Sequence, residues 1–192
     1  MPKPTPFLTI VSGLPRSGTS MMMRMIEAGG IPALVDNIRV ADEDNPRGYY
    51  EFEPVKQTKK DASWLAGSEG QVVKMVYRLL YDLPADRQYR IVFTQRKLEE
   101  VVASQNVMLE RQGKPGGDLS QDKLLSLFEA ELDKSYSWLA EQPNFRVLFV
   151  DYNETLADPA PTVHAVNEFL GGNLDVNAML KVVEPQLYRQ RK

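Results

Sequence analysis

One segment near the start of the chain has the residue types of an anion-binding loop. It reads Gly-Leu-Pro-Arg-Ser-Gly-Thr-Ser over residues 13–20 and directly follows the apolar run 7–12. Glycines let a backbone approach a ligand closely, and the free N–H groups at the start of a helix point towards an anion. Arg16 adds a full positive charge, and three hydroxyl side chains add further donors. We therefore expect residues 13–20, called the glycine loop below, to hold a phosphate-like group.

The glycine loop departs from the ATP-type loop G-x-x-x-x-G-K-[ST] at one position. Gly13 and Gly18 have the expected spacing, but Thr19 stands where that loop has its lysine. The lysine reaches the β- and γ-phosphates in nucleoside triphosphatases. Its replacement argues against a kinase or an ATPase, and Arg16 is the cation of this loop instead.

The elements that must position this loop alternate between strands and helices. Apolar runs predict strands at 7–12, 31–35, 72–76, 90–94 and 146–150. Helices are predicted at 18–28, 54–66 and 159–170. A further helix is predicted from the end of the fourth strand to about residue 111, and another from a capping box of Asp118 and Gln121 to about residue 141. The alternation predicts an α/β fold, a three-layer α/β/α sandwich around a five-stranded parallel sheet, with residues 1–192 in a single domain.

Composition excludes several other kinds of site. The 192 residues carry a net charge of −3, so nothing draws the whole chain to nucleic acid or to an anionic membrane. The absence of cysteine excludes disulfides, thiolate metal sites and a cysteine nucleophile, and it fits a reducing compartment. Residues 1–6 lack the apolar stretch of a signal peptide. We expect a cytoplasmic protein that binds neither nucleic acid nor membrane, and its oligomeric state stays open.

Several parts of the chain resemble one enzyme family, among them residues 72–76 with Asp82-Leu83-Pro84, which resemble its third strand. The sequence Pro15-Arg16-Ser17-Gly18-Thr19-Ser20 looks like the 5′-phosphosulfate loop of sulfotransferases that use 3′-phosphoadenosine 5′-phosphosulfate (PAPS). Residues 45–51, Asn-Pro-Arg-Gly-Tyr-Tyr-Glu, are similar to the compact bacterial branch of that family. Residues 147–159 and 169–171 resemble its fifth strand and the segment after it. The resemblance implies a P-loop NTPase-like fold of the sulfotransferase type, with strand order 2-3-1-4-5.

The resemblance also implies roles for individual residues. Those six loop residues would bind the donor PAPS and the product 3′-phosphoadenosine 5′-phosphate (PAP). Arg96 after the fourth strand and Ser104, eight residues later, would bind the 3′-phosphate. Lys74 in the third strand would point into the site and, with Arg16, neutralise charge on the departing phosphate oxygen. A small-molecule or carbohydrate acceptor would supply a hydroxyl or an amine, and no metal would be needed.

The general base does not follow the family's cytosolic branch. That branch has a histidine two residues after the lysine, where this chain has Val76, and the single histidine, His164, is remote from the motifs. Other branches use a carboxylate, and the polar connection after the second strand offers Asp36, Asp42, Glu43, Asp44, Glu51 and Glu53. Of these, Glu51 is favoured because a Pro–Gly turn and aromatic neighbours flank it. The predicted catalytic residues are therefore Arg16, Lys74 and Glu51.

Two other functions remain open from the sequence. One is an ATP-dependent, kinase-like phosphotransferase in which Asp151, at the end of a strand, would hold magnesium. The other is a nucleotide-binding module without catalysis, which the uncertain base would fit. The glycine-rich residues 111–119 are predicted to form a lid. The basic tail 189–192 could stand in for the Arg-Lys-Gly segment that larger family members carry.

Overall fold

Four parallel strands form the sheet of the computed structural model, which describes residues 6–36, 38–39, 42, 45, 48–111, 113 and 120–183. They are β1 (Leu8–Gly13), β2 (Val72–Lys74), β3 (Tyr89–Gln95) and β4 (Phe145–Asp151), in the order β2-β1-β3-β4. The predicted α/β fold with a parallel sheet is confirmed. The implied order is also confirmed for these four strands.

Helices cover both faces of the sheet. They are α1 (Thr19–Ala28), α2 (Leu98–Arg111), α3 (Gln121–Glu141), α4 (Tyr152–Ala157), α5 (Pro159–Leu170) and α6 (Val176–Leu180). Side chains of α1, α5 and α6 pack on one face, and those of α2 and α3 pack on the other. Three 3₁₀ helices, Glu53–Gln57, Ser63–Leu65 and Tyr77–Asp82, join the second group. The central strand β1 is buried along its whole length, which explains its continuous apolar sequence.

The prediction of a fifth strand at 31–35 is wrong for the described residues. Ala33 alone forms a bridge, parallel to Val72, at the outer side of β2. The carbonyl of Pro32 accepts from the Val72 N–H at 2.9 Å, and the Leu34 N–H donates to the Val72 carbonyl at 2.8 Å. Proline has no N–H to continue the ladder, and β2 offers only three residues to pair with. The contact therefore stays a single bridge at the expected edge of the sheet.

The predicted helix at 54–66 is replaced by two 3₁₀ turns. The Thr58 hydroxyl donates to the carbonyl of Val55 at 2.7 Å, and the Asp61 carboxylate accepts from the Ser63 N–H at 2.9 Å. Such local side-chain bonds compete with a continuous helix. The start of α3 also differs, because Ser120 is its N-cap and accepts from the Lys123 N–H. Asp118 of the predicted capping box lies outside the described residues.

Several predicted features fall on residues that the structure does not describe. These are Glu43, Asp44, Pro46, Arg47, most of the lid at 111–119 and the basic tail at 189–192. Among the helices that are described, none combines the length and apolar character needed to cross a membrane.

Candidate functional site

The glycine loop joins the end of β1 to the start of α1 at the carboxyl edge of the sheet. Gly18 is the N-cap of α1, with a left-handed backbone (φ 95°) and no side-chain hydrogen bond to cap the helix. The first N–H groups of a helix have no partner within the helix. The helix dipole adds partial positive charge at the same place. The start of α1 is therefore suited to an anion.

Both glycines of the loop are required by close packing. A Cβ on Gly18 would lie 2.2 Å from Cδ2 of the Tyr152 ring. A Cβ on Gly13 would lie 2.6 Å from the Thr94 carbonyl oxygen. The loop is thus wedged between the ends of β3 and β4, which fixes its position relative to the sheet.

Ser17 supports the loop from inside. Its side chain is buried, donates to the Leu14 carbonyl at 2.7 Å and lies 2.8 Å from the Thr94 hydroxyl. The Ser17 N–H also donates to Leu14, at 3.2 Å. Its hydroxyl is therefore committed to loop structure, whereas Thr19 is half-buried at the start of α1.

Arg16 extends from the loop towards α2. Its Nε donates to the Ser104 hydroxyl at 2.9 Å, although 88 residues separate the two in sequence. The neighbouring Pro15 carbonyl accepts from the Gln105 amide at 3.2 Å. The structure thus brings together two of the predicted donor-binding residues, Arg16 and Ser104.

Ser20 faces the polar connection that follows α1. Its hydroxyl accepts from the Asn45 amide at 2.9 Å and donates to the Tyr49 carbonyl at 3.4 Å. Burial, and then the Asp42 carboxylate that accepts from its hydroxyl, raise the pKa of Tyr49 to about 12. Ser20 therefore fastens this connection to the first turn of α1.

Arg96 lies directly beneath the glycine loop. Its Nη1 donates to the Arg16 carbonyl at 2.9 Å, and its guanidinium lies over the Tyr152 ring with Cζ 4.7 Å from the ring centroid. Its Nε forms an ion pair of 2.9 Å with Glu100, one helical turn further along. The side chains are 7% and 1% exposed, respectively. Arg96 thus contacts the backbone of the loop while the buried Glu100 carboxylate holds its guanidinium.

Lys74 ends β2 beside the glycine loop. Its ammonium donates to the Tyr49 carbonyl. Burial lowers the pKa of Lys74 to about 8, against the opposing effect of the Glu51 carboxylate. A lysine desolvated in this way favours an anion nearby, because the negative charge restores the lost stabilisation of its charged form.

Glu51 lies close enough to Lys74 to raise the pKa of that lysine, but the ion pairs of Glu51 are with Arg39 and Lys56. The Glu51 carboxylate is 2.9 Å from Arg39 Nη1 and 3.8 Å from the Lys56 ammonium. Asp36 is occupied differently, since it accepts from the backbone N–H groups of Ile38 and Glu53, and these bonds lower its pKa. Of these two candidate bases, Glu51 is the one whose charge raises the pKa of Lys74, against the larger effect of burial.

Asp151, the carboxylate that a kinase-like site would use for magnesium, caps a helix. Asp151 is the N-cap of α4 and accepts from the Glu154 N–H at 2.9 Å. Across the described part of the chain, no group of three or more histidine or acidic side chains is arranged to hold a metal ion.

Sequence reasoning missed Glu100, Tyr152 and Asn153 as neighbours of the site. Asn153 donates to both carboxylate oxygens of Glu100, at 3.0 and 3.1 Å. The position of Glu100 four residues after Arg96 is a signal that could have revealed their ion pair. Contacts of the loop with Tyr152 join residues more than a hundred positions apart, and no local pattern reports them.

Solved structures with a similar fold include several sulfotransferases. Mouse sulfotransferase SULT7A1 complexed with PAP matches at 18% identity and a TM-score of 0.53, over 92% of this chain and 61% of that chain. The sulfotransferase domain from the curacin biosynthetic pathway matches at 14% and 0.54, over 95% and 79%. The sulfotransferase domain from the Synechococcus PCC 7002 olefin synthase matches at 12% and 0.54, over 100% and 90%.

These similarities establish the fold. The chain has the α/β fold found in sulfotransferases, and it spans less than two thirds of the length of the mouse protein. No protein-family model matches the chain, and no curated protein matches it.

Proposed function

We propose that this protein is a sulfotransferase that moves a sulfuryl group from PAPS to a hydroxyl or amine acceptor. The observation that carries the proposal is the meeting of Arg16, Lys74 and Arg96 around the uncapped start of α1. The fold similarity to sulfotransferases, one of them complexed with PAP, supports it independently.

The residues present suit the donor nucleotide. Backbone N–H groups at the start of α1, with Thr19, would bind the 5′-phosphate. Arg96 and Ser104 would bind the 3′-phosphate, and both side chains contact Arg16. These groups are cations and hydrogen-bond donors, which is the set that two phosphates and a sulfonate require. PAPS would supply the activated sulfuryl group.

Two cations would assist the transfer itself. As the acceptor oxygen or nitrogen bonds to sulfur, the bond between sulfur and the bridging oxygen of the 5′-phosphate breaks. Arg16 and Lys74 would stabilise the negative charge that remains on that oxygen, and preorganised charges of this kind usually make the largest contribution to catalysis. Glu51 would take the proton of the acceptor once its ion pair with Arg39 opens.

The 3′-phosphate offers the sharpest test, because PAP carries it and both AMP and ATP lack it. A ligand at 100 times its dissociation constant stabilises a native protein by about 2.7 kcal/mol. For a chain of this size, each kcal/mol moves the melting temperature by roughly 2–4 °C. We expect PAP without magnesium to raise Tm by roughly 5–10 °C, and AMP at equal concentration to have little effect.

The alternatives give different results in the same assay. A larger shift with ATP and magnesium than with PAP would replace the proposal with a kinase-like phosphotransferase. A PAP shift without sulfuryl transfer to any hydroxyl or amine acceptor, in a screen with radiolabelled PAPS, would indicate a nucleotide-binding module.

A further inference from the structure

A chain of hydrogen bonds leads from the start of α4, through α2, to the backbone of the glycine loop. The Asn153 amide donates to Glu100, and Glu100 accepts from Arg96 Nε at 2.9 Å. Arg96 Nη1 then donates to the Arg16 carbonyl at 2.9 Å. The side-chain oxygen Oδ1 of Asn153 also accepts from the Lys97 N–H at 3.4 Å, which joins α4 to the residue just before α2. Asn153, Glu100 and Arg96 are called the support network below.

The side chains of Arg96 and Glu100 in the support network are buried, and Asn153 is half-buried. Glu100 lies among Val101 and Val102 on the covered side of α2. A carboxylate at such a place is retained only where charged and polar partners satisfy it. Asn153 donates to both oxygens of this carboxylate, and Arg96 Nε donates to one of them. With Nε held by Glu100, Arg96 directs its Nη1 at the backbone of the loop.

Through Arg96, the support network contacts Arg16, a residue of the loop with a strained backbone. Arg16 has a φ of 76°, a left-handed backbone that residues other than glycine adopt at a cost. The bond from Arg96 to its carbonyl holds this conformation, and the bond from Arg16 Nε to Ser104 fixes the direction of the side chain. Both restraints come from the stretch 96–104.

We propose that Glu100 and Asn153 are positioning residues for the anion site. They fix Arg96 so that it holds Arg16 in its left-handed conformation, which aims the Arg16 guanidinium and the loop N–H groups at the nucleotide. This inference rests on the proposed function for the identity of the ligand, PAP. The positioning itself is a property of the protein without nucleotide.

Exchanging the two groups tests the proposal. Asn153→Asp alone sets a second carboxylate against Glu100, and Glu100→Gln alone sets one amide NH₂ against another. The double variant restores an amide facing a carboxylate, with the same net charge and nearly the same volume. We expect each single variant to bind PAP about tenfold more weakly, within the coupling range of residues in one hydrogen-bonded network. The double variant should recover to within about twofold of wild type.

A matched control separates positioning from stability. Asn144 is a buried asparagine whose amide donates to the Arg87 carbonyl at 3.0 Å, at the opposite end of β4. Asn144→Ala should lower the free energy of unfolding and leave the dissociation constant of PAP unchanged. Asn153→Ala should weaken PAP binding. Equal effects of the two variants on PAP binding would overturn the inference.

A second measurement needs no nucleotide. Hydrogen exchange of the Ser17 amide should become faster in both single variants and return towards the wild-type rate in the double variant. If wild type fails to bind PAP, the proposed function is wrong, and this exchange pattern alone decides the inference. Unchanged exchange in the single variants, or PAP affinities equal to that of wild type, would overturn it.

Discussion

Arg16 combines a strained backbone with the positive charge of the glycine loop. We expect Arg16→Ala to fold and to lose about 10²–10³-fold in the rate of sulfuryl transfer, the usual cost of removing one stabilising contact to a transition state. Single-turnover assays with PAPS would measure this. Arg87→Ala serves as the control, because Arg87 pairs with Glu69 away from the loop. Near-normal turnover of Arg16→Ala would remove Arg16 from the mechanism.

The buried ammonium of Lys74 makes stability depend on pH in a defined direction. Its folded pKa of about 8 lies below the ordinary 10.5, so between these values the unfolded chain binds more protons and stability rises with pH. We expect Lys74→Met to be more stable than wild type at pH 7. Above pH 8 the difference should narrow by about 1.4 kcal/mol for each pH unit. Urea unfolding at pH 7, 8 and 9 would measure it, and a constant difference would contradict the assignment.

The two carboxylates that share Lys56 give a paired test of the general base. Glu51 and Glu53 both contact this lysine, and Glu51 is the more buried of the two. We expect Glu51→Gln to lower kcat and to remove the acidic limb of its pH profile, since no carboxylate then accepts the acceptor's proton. Glu53→Gln should leave that limb in place. Matching profiles for the two variants would show that the base lies elsewhere.

At the scale of elements, the start of α1 depends on the absence of a side chain at Gly18. A Cβ there would collide with the Tyr152 ring, whereas Gly30 has a similar backbone (φ 107°) and no atom within 4 Å of its Cβ position. Gly30→Ala should cost about 1–2 kcal/mol from backbone strain alone. Gly18→Ala should cost more and weaken PAP binding, as measured by urea unfolding and calorimetry. Equal losses would show that the contact with Tyr152 is unimportant.

Elements with strong local signals were predictable. Asp158 as N-cap, Pro159 in the first turn and Gly171 after the last turn gave α5 its observed bounds. The 3₁₀ turns in the region 54–66 were not predictable. The side-chain bonds of Thr58 and Asp61 that compete with a continuous helix there depend on where the chain folds back. Helices α4 and α6 were missed, and each has six residues or fewer, too few to show a helical period.

The candidate site shows the same division between local and distant signals. The glycine loop was evident from sequence because its donors and glycines lie within eight residues. The roles of Arg16, Lys74, Glu51, Arg96 and Ser104 remain predictions. Their contacts with Tyr49, Glu100 and Tyr152 were beyond sequence reasoning, since the sheet order creates them.

For the whole molecule, the sheet divides the core into two parts of different composition. The face with α2 and α3 is rich in aromatic side chains, and the face with α1 and α6 holds four buried methionines, Met22, Met23, Met25 and Met179. Both cores rest on β1, which pairs with β2 and β3. The packing of both helical layers therefore depends on β1, the strand that carries the glycine loop.

The sheet order β2-β1-β3-β4 has a consequence for synthesis on the ribosome. β1 leaves the ribosome first, yet its partners begin at Val72 and Tyr89, so some sixty to eighty residues must follow before it can pair. During that interval an apolar strand and the methionine-rich α1 remain uncovered in the nascent chain, a condition that favours aggregation. We therefore expect β1 to gain its first partner only after β2 has emerged and its second only after β3.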